Sequence, residues 1–265
     1  MTTESVRRIA ALGSSFASGP GIEPLAERRA HRSTRNYPGL LAARLGAELT
    51  DLTVSGATTE TIISTPQRVM FHTFAPQLEG LPADADLVTI TAGGNDLDYI
   101  GSMVRLGLAA RLSSRALTRP LGAAFGKRGV PRPSEDDIDR AAAGLARIVE
   151  ETRRRAKDAR VLLVDYLTVL GPDTRDSRAT PFDATTLKEF RRLGDDVAAV
   201  FQRAASRSGA ELVAMGERSG DHALGSAEPW VNGLPARLRG STIMSAFHPN
   251  SAGMQAVSDA IAEHL

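Results

Sequence analysis

The chain has 265 residues and a mass of 28.1 kDa, enough to bury a substantial core. Its 32 basic and 31 acidic side chains leave a formal charge of +1, which gives no reason to expect nucleic acid or an anionic membrane as partner. With no cysteine, disulfides, thiolate catalysis and cysteine-based zinc sites are excluded.

Taken from the N-terminus, "MTTESVRRIAALGSS" holds too short an apolar stretch for a secretory signal. No later segment approaches the ~18 unbroken apolar residues of a membrane helix. The expected compartment is therefore the cytoplasm, with no membrane span. Residues 6–12 read as a first buried strand, which breaks into the crowded turn "GSSFASGPG". A helix is expected over 37–45, with Leu40, Leu41 and Leu45 at helical spacing. A second strand follows over 48–54, then a helix over 67–78, opened by Pro66.

The third strand spans 86–91, and residues 100–133 interrupt the pattern. That stretch mixes Met103, Leu106, Leu108 and Leu112 with Arg, Gly and Pro. It is too long for a plain connection and reads as a lid or substrate-binding insertion. A helix over 134–158 opens with Ser134 before Glu135, Asp136 and Asp137, a good N-cap and dipole match. Strand 160–164, helix 183–208, strand 211–214 and helix 251–265 complete the order. The strands are rich in Val, Ile and Leu without strict alternation, as in a parallel sheet buried on both faces. The expectation is an α/β fold with an open five-stranded parallel sheet, in one domain over 1–265. Ligands in such sheets bind in loops beyond the carboxyl ends of the strands.

Four stretches at those ends carry side chains or turns capable of chemistry. Ser15 follows the first strand, but a serine needs a base to become nucleophilic. His248, in "SAFHPNSAG", sits in a loop fixed by Pro249 and by Asn250 as an expected N-cap. Asn95, in "TAGGNDLDY", offers a neutral donor suited to a developing oxyanion. Gly56, in "VSGATT", can offer a backbone N–H. Each stretch alone is equally an ordinary turn. Arg28, Arg29, Arg32 and Arg35 form a basic cluster after the Ser15 turn that could face an acidic substrate, whereas Arg153, Arg154 and Arg155 read as a solvated helix face.

Taken together, the four blocks resemble the SGNH hydrolases, also called GDSL-like esterases and lipases. The resemblance runs from about residue 8 to the C-terminus, and 100–133 is the part it explains least. It implies a flavodoxin-like three-layer sandwich and an ester hydrolase without metal or organic cofactor, acting on a small-molecule ester. It places the nucleophile at Ser15, the base at His248, and the oxyanion donors at Ser15, Gly56 and Asn95. The stretch "HALGSAEPWVNG" is similar to secreted actinobacterial members, with Gly225 where those relatives commonly have a cysteine.

Two departures stand out. The aspartate of the first block is Ser14 here, and the usual catalytic aspartate three residues before the histidine is Ser245. The expectation is a Ser-His dyad whose imidazole is oriented by the Ser245 main-chain carbonyl, as a backbone carbonyl does in some secreted relatives. Asp221 is the first carboxylate to examine if that carbonyl is out of reach. An acyltransferase or a carbohydrate deacetylase would use the same site, and a binding module that has lost its activity would keep the same fold.

Overall fold

The computed structural model describes residues 6–237 and 241–265. Its central sheet has five parallel strands: β1 (Arg8–Gly13), β2 (Glu48–Asp51), β3 (Leu87–Thr91), β4 (Arg160–Val164) and β5 (Glu211–Val213). Their order across the sheet is β2-β1-β3-β4-β5, the doubly wound, flavodoxin-like arrangement. All five strands stand where the apolar runs place them, shorter by one to three residues at some ends, while β1 runs one residue further, to Gly13. In β3 all five residues are buried, and in β1 all but the first. Helices therefore cover both faces.

Helices Tyr37–Leu45 and Ser251–His264 pack against each other on one side; Glu135–Arg155 and Ala184–Ser208 pair on the other. The boundaries follow local chemistry. Asn36, Ser134, Asp183 and Asn250 each accept a backbone N–H of the first turn, which satisfies one of the otherwise orphaned donors. Glu135–Arg155 carries three acids in its first turn and three arginines in its last, matched to the helix dipole.

The helix expected over 67–78 is absent. Residues Gln67–Val69 and His72–Phe74 instead form an antiparallel hairpin, followed by a short 3-10 turn at Gln77–Gly80. Met70 adopts a left-handed φ of 52° at the tip, and Val69, Thr73 and Phe74 favour extended backbone. Pro66 opens no helix here. Residues 100–133 hold two helices, Tyr99–Ser113 and Arg119–Gly126, packed on each other. Among the described residues no helix is long and apolar enough to cross a membrane.

Candidate active site

The turn after β1 is built around Gly13. Its φ is 154°, and a Cβ there would lie 2.5 Å from the Thr91 carbonyl oxygen, so only glycine lets β1 end this close to β3. The buried Gln77 amide closes over the same residue, accepting from the Gly13 N–H at 2.8 Å and donating to its carbonyl at 2.9 Å. The chain then enters a single helical turn, Ser15–Ser18. Ser15 is its first residue, so its N–H has no partner within the turn.

His248 meets this turn across 233 residues of sequence: its Nε2 lies 2.8 Å from Ser15 Oγ, in a buried contact. The histidine loop is stapled to residues 230–232 by backbone hydrogen bonds. Phe247 N donates to Asn232 O at 2.9 Å, Asn232 N to His248 O at 2.8 Å, and Asn250 N to Trp230 O at 2.9 Å. Asn250 also caps the last helix through Gly253 N, as expected from the sequence.

The group that orients the imidazole differs from the expectation by one residue. Nδ1 lies 2.8 Å from the Ala246 carbonyl oxygen. The Ser245 carbonyl instead accepts the His248 backbone N–H at 3.1 Å, and Ser245 Oγ donates to Thr242 O at 2.9 Å. The physical reason is Phe247, held at a left-handed φ of 59° with its ring fully buried beside Phe182. That reversal folds the preceding carbonyl back under the ring. Both ring nitrogens are thereby engaged, and Asp221 has no place in the constellation. Ser245→Ala should accordingly lower kcat by less than about tenfold, because neither of its groups touches the imidazole. A loss near ~10⁴-fold, as for a triad aspartate, would overturn this arrangement.

Burial pushes the His248 imidazole down to about 4; the Ala246 carbonyl opposes the shift, and nearby His31 adds to it. The ring is therefore neutral at pH 7, with Nε2 free to accept a proton. The acid limb of kcat/KM is expected near pH 4 rather than near the usual 6.5 of a free histidine. Because the folded state binds this proton less readily than the unfolded chain, the same group should erode stability as pH falls from about 6.5 towards 4. A pH-rate profile and melting curves across that window check both signs.

Gly56 and Asn95 come from the loops after β2 and β3, the two strands flanking β1. Gly56 has a left-handed φ of 82°. Asn95 Nδ2 donates to Ala57 O at 2.8 Å, and Asp96 accepts from Thr59 Oγ at 2.6 Å. The Thr59 N–H also donates to the Asp96 carboxylate, so both side chains tie the two loops together. Ser14, standing where the family has an aspartate, shares a 2.9 Å hydrogen bond with the Tyr166 hydroxyl. Tyr166 also stacks on Phe16 at 4.1 Å and leaves no room for a Cβ on Gly94. Ala246, Phe247, Gln77 and Tyr166 carry no sequence signal of their own; only the position of Tyr166 just past β4 hints at the site. A cavity of about 520 Å³ between Tyr99, Tyr166, Arg191 and Asp195 includes neither Ser15 nor His248. Among the described residues no three His, Asp or Glu side chains group as metal ligands.

Residues 11–256 match the GDSL-like Lipase/Acylhydrolase family. The chain is 30% identical to Lipase 2 of Streptomyces coelicolor over 262 residues, covering 94% of this chain and 82% of that protein. Among solved structures, an extracellular lipase from Streptomyces rimosus superposes with a TM-score of 0.71 at 22% identity, covering 97% of this chain and 99% of that one. A phospholipase A1 from Streptomyces albidoflavus gives 0.73 at 17% identity with the same coverage. With the four blocks in order on a flavodoxin-like sheet, and a family match over nearly its whole length, the chain belongs to the GDSL-like lipase and acylhydrolase family, the SGNH hydrolases.

Proposed function

We propose that this carboxylic ester hydrolase works through an acyl-enzyme formed on Ser15, with His248 as its only proton carrier. The 2.8 Å contact between Ser15 Oγ and His248 Nε2, buried and aligned by the Ala246 carbonyl, is the observation that carries this reading. As Ser15 Oγ attacks the ester carbonyl carbon, its proton passes to Nε2. The Ser15 and Gly56 N–H groups and the Asn95 amide would receive the charge developing on the carbonyl oxygen. Collapse breaks the bond to the alcohol oxygen, which takes the proton from Nε2. Water then repeats the sequence on the acyl-enzyme, with Nε2 as base, and releases the acid. The Ala246 carbonyl keeps a proton on Nδ1 and stabilises the imidazolium as a dipole, where a triad would use a charge.

Labelling with a fluorophosphonate tests the reading, since only an activated serine reacts. The expected result is one adduct, mapped to Ser15 by mass spectrometry. An unlabelled chain would mark an inactive binding module. Nitrophenyl esters of graded chain length then define the acyl preference, and competition by added alcohols separates hydrolysis from acyl transfer. The cytoplasmic expectation rests on the short N-terminal apolar stretch and the absent cysteines, whereas the S. rimosus lipase is extracellular.

A further inference from the structure

The near-zero charge of the whole chain hides a strongly asymmetric segment. Between Tyr99 and Pro133 there is no acidic residue, while arginines and a lysine recur throughout. Arg105 and Arg132 are paired, with Asp98 and Glu189. Arg115, Arg119, Lys127 and Arg128 are exposed and have no ion pair among the described residues. Burial lowers the pKa of Arg111, and repulsion from Arg178 and Arg115 adds to the shift.

The same segment exposes its large apolar side chains. Leu117 is 94% exposed, and Leu121 and Phe125 are about half exposed. They recur every four residues, so the latter two share one face of helix Arg119–Gly126. A second feature of the same kind is the tip of the hairpin that replaced the expected helix. Phe71 is fully exposed and Met70 nearly so, beside exposed Arg68 and Arg29, the latter reaching His72 Nδ1 at 3.4 Å.

Both features are rooted in the loops that carry the site. The hairpin is anchored by Gln67 Nε2, which donates to Ser55 O next to Gly56. Helix Tyr99–Ser113 begins just after Asn95, and its Gly107 lies so close to Leu234 and Phe247 that an added Cβ would touch both side chains. Arg111 binds the Pro235 carbonyl, holding this helix against the histidine loop.

We infer that the helix pair Tyr99–Gly126 and the Met70–Phe71 tip form a docking surface for an anionic lipid interface, which brings the Ser15–His248 site to esters held there. Exposed apolar side chains in the same segments as exposed cations fit lipid headgroups over acyl chains. Two copies of this basic surface would repel one another, which argues against a second chain as occupant. The inference deepens the proposed function and rests on it for the substrate, but the docking itself does not need turnover.

The test uses the full chain carrying Ser15→Ala, which cannot consume the lipid. It is sedimented with vesicles of phosphatidylcholine alone and of phosphatidylcholine mixed with an equal amount of phosphatidylglycerol. Binding is expected only to the anionic vesicles, with release by salt. Neutralising Arg115, Arg119 and Arg128 together (each to Gln) should weaken partition by roughly fivefold per charge, on the order of 100-fold. Leu117→Ser with Phe71→Ser should also weaken it. In the otherwise wild-type chain, these variants should hydrolyse a soluble nitrophenyl ester at the parental rate, which also shows that they fold. Equal binding by the variants, or no preference for anionic vesicles, would overturn the proposal. So would a solution dimer that the apolar variants dissociate. Failure of phosphonate labelling with vesicle binding intact would sink the catalytic reading alone.

Discussion

Ser15→Ala should lower kcat by about 10⁶-fold and abolish phosphonate labelling, because a Ser-His unit fails as a whole when its nucleophile is removed. Three serines crowd this turn, and their partners tell them apart. Ser14 Oγ pairs with Tyr166, Ser18 Oγ with Ser55 Oγ at 2.8 Å, and only Ser15 Oγ faces an imidazole. Ser14→Ala should therefore keep the label. The Ser15 substitution leaves His248 Nε2 without its partner, a cost of roughly 1–3 kcal/mol, so the fold should survive with a modestly lower Tm. An adduct mapped to Ser14 or Ser18 would reassign the nucleophile. Substantial residual turnover in Ser15→Ala, beyond the ~10³–10⁴-fold that binding and oxyanion donors alone can give over water, would point to a different chemistry.

The strands and the four blocks were legible in the sequence because burial on both faces leaves an unbroken apolar run, and because Gly and Ser at a strand end mark a tight turn. The position of the imidazole acceptor was not. A main-chain carbonyl has no residue type, and its direction depends on a single left-handed residue, Phe247, whose conformation is imposed by packing of its buried ring. The hairpin at 67–74 was missed for a related reason. A proline before the segment suggests a helix start, yet Met70 and Phe71 sit at a hairpin tip and project into solvent. An exposed apolar tip is invisible to any reading that assumes apolar side chains turn inward. The near-neutral overall charge hides a local asymmetry in the same way, since Glu and Asp elsewhere cancel a basic segment that carries none.

Asn95→Ala is expected to cost ~10²–10³-fold in kcat with a smaller change in KM, the usual penalty for deleting one oxyanion donor. The Asn95 amide carries two N–H groups. One is engaged by Ala57 O at 2.8 Å, which fixes the plane of the side chain and ties its loop to that of Gly56. The other is then held in a set direction without depending on substrate, which is what preorganised stabilisation of developing charge requires. The same Ala57 contact makes a purely structural role the competing account, and the two diverge in what they move. If the amide serves only to pin the loops, alanine should lower Tm and leave kcat of the folded fraction near normal. If it stabilises the oxyanion, kcat should fall far more than the loss of one hydrogen bond can explain through stability. Asn95→Asp sharpens the comparison: its carboxylate keeps the shape but presents acceptors to both the Ala57 carbonyl and the developing oxyanion. It should be at least as inactive as the alanine variant. An aspartate variant with higher kcat than the alanine one would remove Asn95 from the oxyanion site.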